Sequence, residues 1–166
     1  MFFADIHWKH DVSQSLLKGF LSAGAISCIV YFADINTTPI IASSLILNAI
    51  AVFFMSHSPM VTHRSLFLGH AFSFLSGYLF AFFLPVHILG YALSVGLGLY
   101  AAAIGSIFLA VFLMSLFRCL NVPAAVIPFS LVLRGWNISE VVFVALAVTI
   151  LALLKFLLRP VISDIE

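Results

Sequence analysis

The sequence predicts an all-α, polytopic helical membrane protein of about six transmembrane segments, the fifth of them short and interrupted by proline. Three observations carry that reading. Hydrophobic side chains make up 64% of the 166 residues and charged ones only 8%, against roughly 45–50% and 25% in a soluble domain. Mean hydropathy is +1.25. The apolar residues also come in runs long enough to cross a hydrocarbon layer of about 30 Å as helices, which satisfy their own backbone polar groups in lipid.

The elements follow in order. Residues 1–15 form a cytoplasmic or interfacial segment that carries Asp5 and Asp11 and no small-residue cleavage site. It reads as neither a secretory signal nor an Arg-rich transit peptide, so the mature chain is expected to begin at Met1. A single transmembrane domain then covers 16–158. Its first span is 16–33, the second, 39–55, opens on Pro39, the third is 65–84, and the fourth, 91–117, is long enough to tilt. The fifth, 123–133, contains Pro128 and at 1.5 Å per residue reaches only roughly 16 Å. The sixth, 138–158, has no Gly or Pro, and Lys155 can snorkel at its end. Residues 159–166 form a cytoplasmic tail.

Charge orients the bundle. If all six segments cross, Lys9, Lys18, Arg64, Arg118, Lys155 and Arg159 fall on one side and Arg134 alone on the other. Cytoplasmic loops concentrate Lys and Arg, so both termini are placed inside. A fifth segment that returned to its own side would move Lys155 and Arg159 across and erode the separation.

The halves resemble each other weakly. Asn36-Thr37-Thr38-Pro39-Ile40-Ile41-Ala42-Ser43-Ser44-Leu45 has the flavour of Asn121-Val122-Pro123-Ala124-Ala125-Val126-Ile127-Pro128-Phe129-Ser130-Leu131, each between two longer helices. Two accounts stand side by side. Either the chain is an inverted 3+3 repeat, whose paired short segments mark a transport site, or polar residues followed by Pro simply start helices in both places.

Packing residues are legible as well. Gly69, Ser73, Gly77 and Ala81 in the third span, and Ser94, Gly98, Ala102, Ser106 and Ala110 in the fourth, recur every four residues. Such ladders let helix backbones approach closely in lipid, and they are read first as packing within the protomer. The 18 Phe residues are assigned mostly to the lipid face.

Several functions are excluded by inventory. A formal charge of +1 leaves no basic face for nucleic acid. Cys28 and Cys119 are isolated packing residues without a disulfide or metal pattern. His63 and His70 lie roughly 10 Å apart along one helix, too far to share an ion, and no Cys or carboxylate completes a ligand set, so neither metal nor cofactor is expected. A Ser-His-Asp hydrolase fails because Asp34 and Glu140 fall on the side opposite His57, His63 and His70. Gly-rich nucleotide loops are absent. The chain is not expected to be an enzyme.

What remains is a set of polar residues near the inner side. They are Ser56-His57-Ser58-Pro59-Met60-Val61-Thr62-His63-Arg64, then Gly69-His70, then Arg118 with Asn121. His70 is the imidazole well inside a span. The short fifth helix cannot reach both faces of the layer, so one end must start inside the protein. Pro123 suits its first turn. Its N–H groups and positive dipole end would then face a pocket opening inward, with Arg118 and Asn121 at the rim.

Ser58-Pro59, Arg64, Gly69-His70 and Ser73, followed after one long helix by Arg118-Cys119-Leu120-Asn121-Val122-Pro123-Ala124-Ala125, resemble the HPP family of small integral membrane proteins over roughly residues 36–158. In that family a Ser-Pro…Pro-Arg-Asn…Gly-Gly-His stretch precedes Arg-x-x-His-Pro-Pro-Ala-Gly-Ala. Asn121 stands where the family has His, Val122 where it has the first Pro, and Ala125 where it has Gly. Plant members are described as chloroplast nitrite transporters. The resemblance implies transport of a small inorganic anion, nitrite first, with Ser58, Arg64, His70, Arg118, Asn121, Pro123 and Ala124 as substrate-binding candidates. The expected setting is a bacterial inner membrane, and the expected state a homo-oligomer. The rival reading is a structural or assembly subunit that packs against other membrane proteins through the small-residue ladders.

Overall fold

A computed structural model describes residues 2–36, 38–55, 57–82, 95–135 and 137–157. Leu84, Tyr91, Ser94, Leu158 and Arg159, which entered the sequence reading, lie outside them. The described residues form six α-helices: α1 (Phe2–Asn36), α2 (Pro39–Phe54), α3 (His63–Phe82), α4 (Val95–Leu116), α5 (Ile127–Arg134) and α6 (Ile138–Leu157). Short 3-10 turns, Pro59–Val61 and Ala124–Val126, precede α3 and α5. Four helices contain apolar stretches long enough to cross a membrane: Ser15–Ala33 within α1, His63–Phe82, Gly98–Leu116 and Ile138–Leu157. The two that are too short, Pro39–Phe54 and Ala124–Arg134, are each the second helix of a half.

Cross-chain hydrogen bonds fix the directions of the helices. Lys155 Nζ donates to the Val61 carbonyl at 2.6 Å, which ties the end of α6 to the start of α3. At the opposite end the Thr38 N–H donates to Glu140 Oε1 at 3.2 Å, which ties the start of α2 to the start of α6. Arg64, Arg118 and Lys155 therefore share one end, called here the basic end, and Arg134 and Glu140 the other.

The α5 segment is the core of the bundle. It packs against α3 and α4, and the 3-10 turn before it reaches α2. This closeness makes the glycines of the α3 ladder necessary. A Cβ on Gly77 would stand 3.1 Å from the Pro128 Cα and 2.7 Å from Leu131 Cδ1, and one on Gly69 would stand 2.6 Å from the Asn121 Cβ. In α4, Gly98, Ala102, Ser106 and Ala110 are all buried. Both ladders thus pack the protomer. Phe53 and Phe74 are buried, whereas Phe20, Phe67, Phe82, Phe108, Phe112 and Phe156 face outward, as a lipid-bathed surface demands. Helix α1 leans on α2, and an apolar groove of about 520 Å³ runs between α1 and α6 past Phe20, Cys28, Phe53, Phe143 and Leu151.

Candidate functional site

The polar chemistry lies elsewhere, where the chain between α4 and α5 leaves helical geometry inside the bundle. Helix α4 ends in a Schellman turn: the Cys119 N–H donates to the Met114 carbonyl at 2.8 Å and the Arg118 N–H to the Ser115 carbonyl at 3.1 Å. The residue in the left-handed position is Arg118, at φ 50°, where glycine is the unstrained choice. Its side chain is exposed, as is that of Arg64. Burial pushes the Cys119 thiol pKa up, and the Arg64 guanidinium pulls it down, which places Arg64 within electrostatic reach of this turn.

Past Cys119 the backbone runs inward without helical bonds until Ala124, which lies beside Ser73, midway along α3. Irregular backbone at membrane depth must be satisfied by protein groups or by a water-filled cavity, and here side chains do it. Asn121, fully buried, is the organiser. Its Oδ1 accepts the Ala124 N–H at 3.0 Å, and its Nδ2 donates to Asn48 Oδ1 on α2 at 2.9 Å. Asn48 Nδ2 donates to the Ser44 carbonyl at 3.0 Å and lies 3.5 Å from His70 Nε2. His70 Nδ1 is 2.7 Å from the Leu66 carbonyl, which can only accept, so that nitrogen carries the proton. Donors and acceptors therefore run in one direction from Ala124 through Asn121 and Asn48 to His70. The Ser73 hydroxyl donates to the Ala124 carbonyl at 2.6 Å. Pro128, four residues on, has no N–H to offer that carbonyl, which accepts the Ile127 N–H in the 3-10 turn and the Ser73 hydroxyl beside it.

A second polar layer closes the opposite end. The Thr38 and Ser130 hydroxyls are 2.8 Å apart, and Thr38 reaches the buried Glu140 through its N–H. The start of α2 meets the middle of α5, and the stretch before α5 meets the later part of α2.

The sequence candidates separate into three groups. Asn121, Ala124 and His70 come together in the buried layer, and Pro123 adjoins it as the half-buried residue before the 3-10 turn. Arg64 and Arg118 stand exposed at the basic end. Ser58 caps the first 3-10 turn, accepting the Met60 N–H at 3.3 Å, a local structural task. One expectation changes. The N–H groups at the start of the fifth segment do not face an open pocket, because Asn121 accepts those of Ala124 and Ala125 through its side chain and its carbonyl. Asn48 escaped the sequence reading, though an amide inside an otherwise apolar helix is a signal of this kind. No group of three or more potential metal ligands occurs among the described residues.

Helices long and apolar enough to cross a membrane, two shorter apolar helices and a partly buried irregular segment before the second of them define an integral membrane protein with polar groups gathered inside the bundle. The chain belongs to the HPP transmembrane-region family, whose model matches residues 7–165, and that membership points to a role of the transporter or channel kind. No curated protein and no solved structure matches it.

Proposed function

We propose that the protein passes a small inorganic anion across the membrane, with nitrite the first candidate, and that the basic end faces the cytoplasm of a bacterial cell. The observation that carries the reading is the buried Asn121 layer: neutral donors held by irregular backbone inside the bundle, with two exposed guanidinium groups at the nearer, basic end. Arg64 and Arg118 concentrate the anion at that end by long-range attraction. The Ala124 N–H and the Asn121 amide are the donors that meet it further in. They bond to neighbouring side chains in the closed arrangement and become available when the turn moves. Neutral donors suit passage, since they bind an anion without holding it as a buried cation would. Nitrite is named because the motifs resemble those of a family with plant nitrite transporters.

Uptake into proteoliposomes across nitrite, nitrate, formate, bicarbonate and chloride tests the reading. Saturable nitrite uptake that falls when Arg118 is replaced by Gln supports it. Vesicles indifferent to all five anions refute it.

A further inference from the structure

Two buried hydroxyls behave unlike the others in the bundle. A serine or threonine inside a helix ordinarily turns its hydroxyl back to a carbonyl three or four residues earlier. Ser22, Ser43, Ser106 and Thr149 all do so, to the carbonyls of Gly19, Pro39, Ala103 and Ala145. Ser44 and Ser76 do not: both are fully buried, and among the described residues neither hydroxyl has a hydrogen-bond partner. Leaving a buried hydroxyl unpaired costs free energy.

Their depth is the second observation. Asn48 and His70 mark a common level by their 3.5 Å contact. From there Ser44 lies one turn back along α2, about 6 Å toward Thr38, and Ser76 six residues on along α3, about 9 Å in the same direction, since the two helices run oppositely. Both hydroxyls thus fall between the Asn48–His70–Asn121 layer and the Thr38–Ser130–Glu140 layer. Ser44 shares the α2 face of Asn48, and Ser76, seven residues after Gly69, shares the α3 face that meets Asn121.

We propose that Ser44 and Ser76 form a hydrated hydroxyl station, between the two closed polar layers, that receives the small anion during passage. The inference rests on the anion-passage reading and adds where in the bundle the anion is held. Two O–H donors at this level supply hydrogen bonds to an oxyanion or halide without a fixed charge, and the layers on either side seal the station in turn.

The test compares Ser44→Ala, Ser76→Ala and the control Ser43→Ala, a back-bonded hydroxyl on the outer face of α2. Nitrite uptake is measured in proteoliposomes and thermal stability in detergent. A donor lost from an anion should lower uptake roughly tenfold at Ser44 and at Ser76, with melting temperature unchanged or raised, because an unsatisfied hydroxyl has been removed. Ser43→Ala should leave both alone. Unchanged uptake in folded Ser44→Ala and Ser76→Ala proteins overturns the station. So does a lowered melting temperature in both, which would make the hydroxyls structural. A parallel arm does not depend on transport: Ser44→Cys and Ser76→Cys should react with a small charged thiol reagent above the background of wild-type Cys28 and Cys119. If wild-type vesicles pass none of the five anions, the anion reading fails, and this labelling alone decides whether a hydrated station exists. Absence of labelling at both positions overturns it.

Discussion

At the scale of single residues, the conformation of Arg118 sets a charge against backbone strain. A non-glycine residue in the left-handed region carries a cost of about 1 kcal/mol, and glycine would end α4 without it. Arg118→Gly is therefore expected to keep the turn, raise stability by up to about 1 kcal/mol, and lower anion uptake several-fold. Thermal denaturation and uptake on the same preparation would check both signs. Stability and uptake falling together would mean that Arg118 is a packing residue. His70 invites a different measurement. Its Nε2 faces the Asn48 amide donor, and the direction of the chain is pinned at its far end by the Ala124 N–H, so the amides cannot turn over to accommodate an extra proton. Protonation at Nε2 would oppose two donors and loosen the Asn121 turn. Removing the acceptor at Nε2 is expected to loosen that turn as well, so His70→Ala should lower the melting temperature in detergent by a few degrees. An unchanged melting temperature would remove the imidazole from the chain of bonds that holds Asn121. Arg64, Arg118 and Asn121 were visible in the sequence as polar residues near an inner mouth. Asn48 was not named, although an amide in an apolar helix is itself a signal; what the sequence could not supply is its partner 73 residues away.

The elements follow their local sequence where composition alone decides them. The observed helices Pro39–Phe54, His63–Phe82 and Ile138–Leu157 agree with the predicted spans to within a few residues, since an apolar run in lipid has no alternative to a helix. The fifth element was legible in kind but not in detail. Its length deficit and Pro128 required a start inside the protein, and Ala124 does lie beside Ser73. What periodicity could not disclose is how the start is satisfied, because that depends on side chains arriving from α2 and α3. Helix pairing was readable from the small-residue ladders, and it yields a graded expectation. Gly77→Leu would drive a branched side chain into the Pro128 backbone, whereas Ala145 is exposed on α6. Overpacking of this kind costs about 1–3 kcal/mol or more. Gly77→Leu should therefore lose yield and a monodisperse elution profile in detergent while Ala145→Leu keeps both. Equal behaviour of the two would contradict the close approach of α3 and α5.

For the whole molecule, direction is set at both ends by bonds between distant parts of the chain. Lys155 to Val61 and Thr38 to Glu140 require α3 and α6 to run oppositely and α2 to start where α6 starts. The α4–α5 connection enters from the basic end and continues as helix toward Thr38, so the fifth segment completes a crossing although its helix covers only part of the depth. With that crossing counted, the number of traversals is even, and the beginning of α1 and the end of α6 stand at the same end. The cations agree: Lys18, Arg64, Arg118 and Lys155 lie toward this end and Arg134 at the other, the asymmetry that favours a cytoplasmic placement. Reporter fusions at the two termini should accordingly both report the cytoplasm. Moving the asymmetry tests the cause: adding two or three lysines beside Arg134 while replacing Arg64 and Arg118 should produce a mixed or reversed topology. Reporters on opposite sides in the wild-type chain would remove the sixth crossing and contradict the course of the fifth segment from the basic end toward Thr38.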